Sequence, residues 1–132
     1  MLRGGCYCGD VRYEASGRPF HETNCHCSIC RRTTGAPFVT WFSVPRTTFR
    51  FVRGQPTYFK SSPTGERSFC SRCGTQLTVA LTGAPDEIDV TTCSLDSPEA
   101  LPPRDHTRTS SKLPWIVTCG NLPEIHESRL DG

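Results

Sequence analysis

The chain has 132 residues, with 15 lysines and arginines against 13 aspartates and glutamates, a net charge of +2. Acidic and basic residues are mixed along the sequence, which gives no electrostatic case for binding nucleic acid or a membrane surface. No apolar run approaches about 18 residues, and the start has no secretory core, so we expect no membrane span and a cytoplasmic protein. The length predicts one domain over residues 1–132.

Short segments bounded by proline and glycine have the composition of β-strands. In chain order they are Val11–Ala15, Phe38–Val44, Thr48–Val52, Thr57–Lys60, Thr75–Leu81 and Glu87–Thr92. No helical periodicity extends over a window of about 11 residues, and the one predicted helical turn follows Ser97, where proline and glutamate come next. The sequence therefore predicts a mainly β, antiparallel single-domain fold with little helix.

The nine cysteines favour metal binding, because the count is odd, there is no export signal and the cytosol keeps thiols reduced. Seven of them fall into three groups, which are Cys6 and Cys8, then Cys25, Cys27 and Cys30, then Cys70 and Cys73. The first and third groups together supply four thiolates, the ligand set of a closed tetrahedral zinc site. Both sulfurs of a C-x-C can reach one ion from extended chain, and Gly74 frees the chain to leave the C-x-x-C turn.

The middle group supplies three ligands, which predicts an open zinc site whose fourth position takes water or substrate. The alternative is that another side chain closes the site, with His26, Cys93 or Cys119 as the candidates. His26 would alternate away from its neighbouring cysteines in an extended chain, and isolated cysteines are usually small buried hydrophobes.

The ligand type indicates the chemistry. Three thiolates on a zinc ion leave a net charge of about −1, which makes the metal a poorer acid toward water. A thiol starts near a pKa of about 8.5 and loses its proton on coordination, so the three cysteines favour activation of a substrate thiol. The histidine neighbourhoods lack the H-x-E of zinc deaminases, and neither C-x-x-C follows proline, which excludes nucleobase deamination.

Four stretches carry a resemblance to a known family. "GGCYCGDVRYEA", "CHCSICRR", "FCSRCGT" and "SLDSPEALPPRDHTRTSSKLPWI" resemble, in that order, the glutathione-dependent formaldehyde-activating enzyme family, which includes centromere protein V. The resemblance covers roughly residues 4 to 123 and departs from the family at "CGNLPEI", where Asp-Gly-Leu-Pro is common.

The resemblance implies an Mss-four-like zinc fold, a structural zinc on Cys6, Cys8, Cys70 and Cys73, and a catalytic zinc on Cys25, Cys27 and Cys30. It also implies two zinc ions per chain and condensation of formaldehyde with glutathione to S-hydroxymethylglutathione, a carbon–sulfur lyase activity. His106, Lys112 and Trp115 stand at the expected places, although no chemical role can be derived for the first two.

Residues near the clusters have weaker signals. Arg31 and Arg32 could hold the carboxylates of a peptide-like thiol, or they could be surface charges or hydrogen-bond donors to a thiolate. His26 could donate a proton or a hydrogen bond at the site, or simply pack. The segment around a Ser/Pro/Gly turn is predicted to expose Lys60, Glu66 and Arg67, while Trp41 and Trp115 are predicted to lie in the core.

Three functions follow from these patterns. The favoured one is a zinc-dependent carbon–sulfur lyase with a small thiol such as glutathione as its partner. The alternative is a non-catalytic zinc module for a protein or nucleic-acid partner, although the charge balance argues against nucleic acid. The third, a redox protein using Cys27 and Cys30, lacks the βαβ setting of that motif.

Overall fold

The computed structural model describes residues 1–123, without the side chains of residues 118–121. The strands are β1 Leu2–Gly5, β2 Arg12–Ala15, β3 Phe20–Cys25, β4 Val39–Pro45, β5 Phe49–Arg53, β6 Thr57–Ser62, β7 Gly65–Phe69, β8 Gln76–Leu81, β9 Glu87–Thr91 and β10 Asp105–Thr107. The described helices are α1 Ser28–Thr34 and the 3₁₀ helices Arg46–Thr48, Thr92–Ser94, Pro98–Ala100, Thr109–Ser111 and Pro114–Asn121.

The strands form a three-stranded sheet in the order β1-β2-β5 and a seven-stranded sheet in the order β10-β3-β4-β9-β8-β7-β6. Their pairings are antiparallel except that of β10, which lies parallel to β3. The predicted mainly β fold is confirmed, and all six predicted strands are present with ends that differ by at most two residues. The predicted turn after Ser97 is the 3₁₀ helix Pro98–Ala100.

The seven-stranded sheet carries an apolar cluster on each face. On β4, Phe42 and Val44 pack into a large cluster shared with the three-stranded sheet, while Val39 and Trp41 belong to a smaller one. Successive side chains of a strand point to opposite faces, so the two clusters lie on opposite sides of β4. The large cluster is reached by the Cys6 and Cys70 groups, whereas the small one contains Cys30. The sheet therefore separates the two cysteine clusters.

Within residues 1–123, no helix combines the length and apolar character that crossing a membrane requires.

The turn between β5 and β6 depends on a glycine at position 54. Gly54 has a φ of +70°, and a Cβ there would lie 2.1 Å from the carbonyl oxygen of Asp10. We expect Gly54→Ala to lower the free energy of unfolding by about 2–4 kcal/mol, because both the positive φ and the clash would strain the backbone. Urea unfolding measures the change. Gly83→Ala is the matched control, since a Cβ there meets open space, and it should stay within about 0.5 kcal/mol; equal effects would contradict this account.

Candidate metal centres

Four cysteine sulfurs from two distant turns meet beside the large apolar cluster. The sulfurs of Cys6, Cys8, Cys70 and Cys73 all lie within 4.8 Å of one another. The first pair follows β1, and the second pair lies between β7 and β8. Two of the four residues, Cys6 and Cys70, are buried. The sequence prediction placed these four residues together, and the structure does so across about 60 residues of chain.

Backbone turns hold each pair in place. Gly9 and Gly74 follow the second cysteine of each pair with φ angles of +84° and +81°, which let the chain turn sharply behind the sulfurs. The backbone N–H of Val11 donates to the sulfur of Cys6 at 3.2 Å. Such donors stabilise a thiolate, and the wrapped turns keep the sulfurs converging on one point.

Thr75 connects the two turns and polarises one ligand. Its hydroxyl oxygen accepts a hydrogen bond from the backbone N–H of Tyr7 at 3.0 Å and lies 3.2 Å from the sulfur of Cys73. The hydrogen bond from Thr75 lowers the pKa of Cys73 to about 5. Cys73 is therefore disposed to be a thiolate at neutral pH, which is the form that binds metal.

The spacing of these sulfurs fits a tetrahedral metal ion. Four sulfurs at about 2.3 Å from one zinc are separated by about 3.8 Å from each other. The Sγ–Sγ distances are 3.6 Å for Cys6 to Cys8 and 3.8 Å for Cys8 to Cys70. A disulfide would need about 2.05 Å, and all the cysteines whose side chains are described are free. The group fits a zinc ion better than it fits a pair of disulfides.

The second group lies at the junction of β3 and α1 on the opposite face of the large sheet. The strand ends at Cys25, and Cys27 is the N-cap of α1, accepting the backbone N–H of Cys30 at 3.2 Å. The third residue after an N-cap returns to the same side of the helix, which brings those two sulfurs together. All three sulfurs lie within 4.8 Å of one another. No periodic signal in the sequence predicts α1, because a helix of seven residues is too short to show one.

Hydrogen bonding within this group prepares one thiolate. The Cys30 thiol donates to the sulfur of Cys25 at 3.6 Å. This hydrogen bond lowers the pKa of Cys25 to about 7 and, together with burial, raises the pKa of Cys30. Cys30 is buried, and the other two residues are half-buried. The separation of 3.6 Å again suits sulfurs sharing a tetrahedral ion.

Among the side chains that the structure describes, no fourth cysteine, histidine, aspartate or glutamate joins these three sulfurs. Cys93 is exposed, lies in the 3₁₀ helix Thr92–Ser94 after β9, and belongs to neither cysteine group. The side chain of Cys119 lies outside the described residues. His26 uses its Nε2 atom elsewhere, at 2.9 Å from Nδ1 of His106. The geometry thus supplies three ligands where the tetrad supplies four.

His26 anchors the C-terminal segment to the three-cysteine loop. Its ring is fully buried, its backbone N–H donates to the carbonyl of Thr107 at 3.0 Å, and its carbonyl accepts the Ser111 hydroxyl at 2.8 Å. Burial, followed by the electrostatic effects of His106, Lys112 and Arg31, lowers the pKa of His26. The His26 side chain is packed in the interior, and its ring hydrogen bond is made to His106. Donation by His26 to a group at the three-cysteine site stays a prediction.

His106 provides the matching half of that anchor. We expect His106→Ala to lower the free energy of unfolding by about 1–2 kcal/mol, because it leaves Nε2 of buried His26 without its partner. The backbone amide of His26 should also exchange hydrogen faster. It donates to the carbonyl of Thr107, which lies next to His106 in β10. Amide exchange followed by NMR measures both effects. Asp105, exposed on the same strand as His106, is the control, and a similar loss in Asp105→Ala would contradict a local anchor.

The arginines near the three cysteines occupy different environments. Arg32 is exposed, whereas Arg31 is half-buried and its Nε atom has no hydrogen-bond partner. Both lie on α1, directly after the cysteines. Their predicted contact with substrate carboxylates stays a prediction.

The prediction that Arg67 is exposed is wrong. Only 5% of Arg67 is accessible, and its Nη2 lies 3.5 Å from the sulfur of Cys30. Arg67 pairs with Val79 across β7 and β8, so it faces the small cluster rather than solvent. Lys60 and Glu66 are exposed as predicted. Alternation along β7 was the missed signal, because it places Glu66 and Arg67 on opposite faces.

The two tryptophans also differ. Trp41 is buried at 5% accessibility, as predicted, and the guanidinium carbon of Arg67 lies 5.7 Å from its ring centroid. Trp115 is 51% accessible, so its predicted core position is wrong. It belongs to the 3₁₀ helix Pro114–Asn121 near the end of the described chain.

Comparison with known proteins relates the chain to one family by sequence and by structure. The sequence model of the family described as glutathione-dependent formaldehyde-activating enzyme matches residues 1–111. A protein from Halomonas elongata named "Putative glutathione-dependent formaldehyde-activating enzyme" is 32% identical over an alignment of 126 residues, and the match covers 88% of this chain and 80% of that protein. A crystal structure of a Rhodobacter sphaeroides protein superposes with a TM-score of 0.67 at 26% identity, covering 80% of this chain and 99% of that one.

Proposed function

The chain belongs to the glutathione-dependent formaldehyde-activating enzyme family, and from that premise we propose that it is a zinc-dependent carbon–sulfur lyase acting on a small thiol–aldehyde adduct. The first candidate reaction is condensation of glutathione with formaldehyde to S-hydroxymethylglutathione. The observation that carries the proposal is a group of three converging cysteines with no fourth described ligand, beside a complete group of four. A site with three protein ligands keeps one position for a reactant.

The two groups would have different tasks. Cys6, Cys8, Cys70 and Cys73 would hold a structural zinc, and Cys25, Cys27 and Cys30 would hold a catalytic one. When bound at the second group, zinc supplies a Lewis-acidic position that favours the deprotonated form of a thiol.

The protein's own residues orient and shield that position. The N-cap position of Cys27 and the burial of Cys30 hold two of the sulfurs in place. The position of the third sulfur, that of Cys25, is set by the end of β3. Trp41 and Val79 form an apolar floor beneath them, which limits access of water from the sheet side. A reactant would therefore approach from the side of the half-buried Cys25 and Cys27.

Positive charge beside the site suits an anionic thiol. Arg31 and Lys112 both act electrostatically on His26, which lies between two of the cysteines. Glutathione carries carboxylates, and guanidinium and ammonium groups bind carboxylates well. We propose that Arg31 and Arg32 contact these carboxylates. In the reaction the thiol loses its proton, a sulfur–carbon bond forms, and the aldehyde oxygen gains a proton, with no net redox change.

NMR exchange spectroscopy on equilibrated glutathione and formaldehyde tests the proposal. Zinc-loaded protein is expected to accelerate exchange between free glutathione and its adduct, and protein stripped of zinc is not. Repeating the experiment with 2-mercaptoethanol, which has no carboxylate, tests the role of the arginines. If fully loaded protein accelerates no thiol–aldehyde pair, the lyase proposal is rejected and a non-catalytic zinc module remains.

A further inference from the structure

Arg67 is a buried cation with no carboxylate partner nearby. Its Nε donates to the Ser61 hydroxyl at 3.1 Å and its Nη2 to the sulfur of Cys30 at 3.5 Å. Among the described residues, no aspartate or glutamate oxygen lies within 4.0 Å of it. Because arginine stays protonated in proteins, burying it is costly unless an opposite charge compensates.

Asp89 is the acidic group that faces Arg67 at longer range. It lies on β9, on the same face as Arg67, and the two interact electrostatically. Its Oδ1 already accepts the Ser43 hydroxyl, and burial raises the pKa of this carboxyl. Asp89 therefore balances the charge of the guanidinium only in part. The Cys30 sulfur, at 3.5 Å, is closer to the guanidinium than the Asp89 carboxylate is.

Unsatisfied polar atoms concentrate around the three cysteines. In the described part of the chain, four buried side-chain nitrogen or oxygen atoms have no hydrogen-bond partner, and three belong to His26, Arg31 and Arg67. His26 precedes Cys27, Arg31 follows Cys30, and Arg67 reaches the Cys30 sulfur from β7 on the same face of the sheet. Buried groups of this kind are rare in folded proteins and call for an explanation. A charged centre at the three sulfurs, one of which Arg67 already contacts, would supply one.

We propose that Arg67 is a positioning residue that supplies the counter-charge of the three-cysteine centre and thereby makes its open position favour an anionic sulfur ligand. The inference rests on the proposed function. Zinc with three thiolates carries about −1, and the guanidinium brings the local sum to about zero. Addition of a thiolate then gives about −1 instead of −2, so a substrate anion enters a half-buried site at lower electrostatic cost.

Arginine variants test this with metal binding as the first readout. Arg67→Met keeps much of the side-chain volume and loses the charge, and Arg67→Lys keeps the charge. Arg50→Met is the matched control, since Arg50 is exposed on β5 and pairs with Glu14 outside both cysteine groups. Competition with a chromophoric chelator would give zinc affinities for the two sites of each protein. We expect Arg67→Met to weaken the three-cysteine site about tenfold or more, while the four-cysteine site stays unchanged.

A second readout uses cobalt in place of zinc and 2-mercaptoethanol as the thiol probe. In Arg67→Met the thiolate-to-cobalt charge-transfer band should move to lower energy, because the sulfur loses a hydrogen bond from a cation. Binding of the probe should weaken about tenfold as well. Arg67→Lys should recover most of both effects, and Arg50→Met should match the wild type.

The outcomes separate the inference from the proposed function. If the wild-type three-cysteine site binds no metal, the proposed function fails. If it binds metal and Arg67→Met shows the same affinity and spectrum, the proposed function stands and the counter-charge inference is overturned. If Arg67→Lys is impaired as much as Arg67→Met, Arg67 acts through packing and the inference is likewise overturned. Should Arg67→Met fail to fold, Arg67→Lys decides, because full recovery requires only the positive charge.

Discussion

Cys70→Ser is expected to leave the chain largely unfolded under conditions where the wild-type protein is native. Cys70 is 2% accessible, and its group joins the turn after β1 to the turn between β7 and β8. Structural zinc contributes about 10–16 kcal/mol in small peptides, whereas a whole domain is stable by about 5–15 kcal/mol. Weakening the site should therefore cost about 5 kcal/mol or more. Circular dichroism and zinc content of the purified variant measure the loss.

Cys93→Ser is the control for that experiment. Cys93 is exposed and its sulfur belongs to neither group, so the variant should keep the wild-type zinc content and unfold within about 0.5 kcal/mol of the wild type. If Cys70→Ser folded and unfolded like Cys93→Ser, the four cysteines would not be holding a structural ion. A chelator strong enough to strip both sites should reproduce the unfolding in the wild-type protein.

Cys25→Ser is expected to have the opposite profile, with the fold kept and the activity lost. Cys25 is half-buried at the end of β3, and its group lies over the smaller apolar cluster. Removing one of three ligands should lower the zinc content from two ions to one. We expect the acceleration of thiol–aldehyde exchange to fall to the uncatalysed rate, while the free energy of unfolding changes by about 1–2 kcal/mol.

Metal analysis and NMR exchange on the same sample make that result interpretable. Cys93→Ser again serves as the matched control and should keep two zinc ions and full activity. A Cys25→Ser protein with one zinc ion and wild-type activity would show that the three-cysteine group is not the reaction site. A Cys25→Ser protein that fails to fold would show instead that this group is structural.

Six strands could be predicted from the sequence because their aromatic and β-branched residues stand between glycines and prolines. The other four could not. β1 has the sequence LRGG, β3 is mostly polar, β7 has one aromatic residue, and β10 has three exposed residues. These strands form because neighbouring strands offer hydrogen bonds. Tertiary pairing of this kind overrides local propensity.

The residues of the candidate sites likewise include some that the sequence predicts and some that it does not. The cysteine spacings 6–8, 25–27–30 and 70–73 determine which sulfurs can share an ion, because a C-x-C or C-x-x-C brings its sulfurs together by local geometry. Arg67 meets Cys30 across 37 residues, and His26 meets His106 across 80. No local rule gives either contact, since each depends on strand register.

The sequence by itself determined the mainly β class and the two sets of cysteines, because strand composition and ligand spacing are short-range properties of the chain. Only the tertiary structure decided that these sets lie on opposite faces of one sheet, and that Arg67, which was expected at the surface, is buried against the three-cysteine group. The physical reason is that a side chain's face follows from the register of its strand, and register is set by partners distant in sequence.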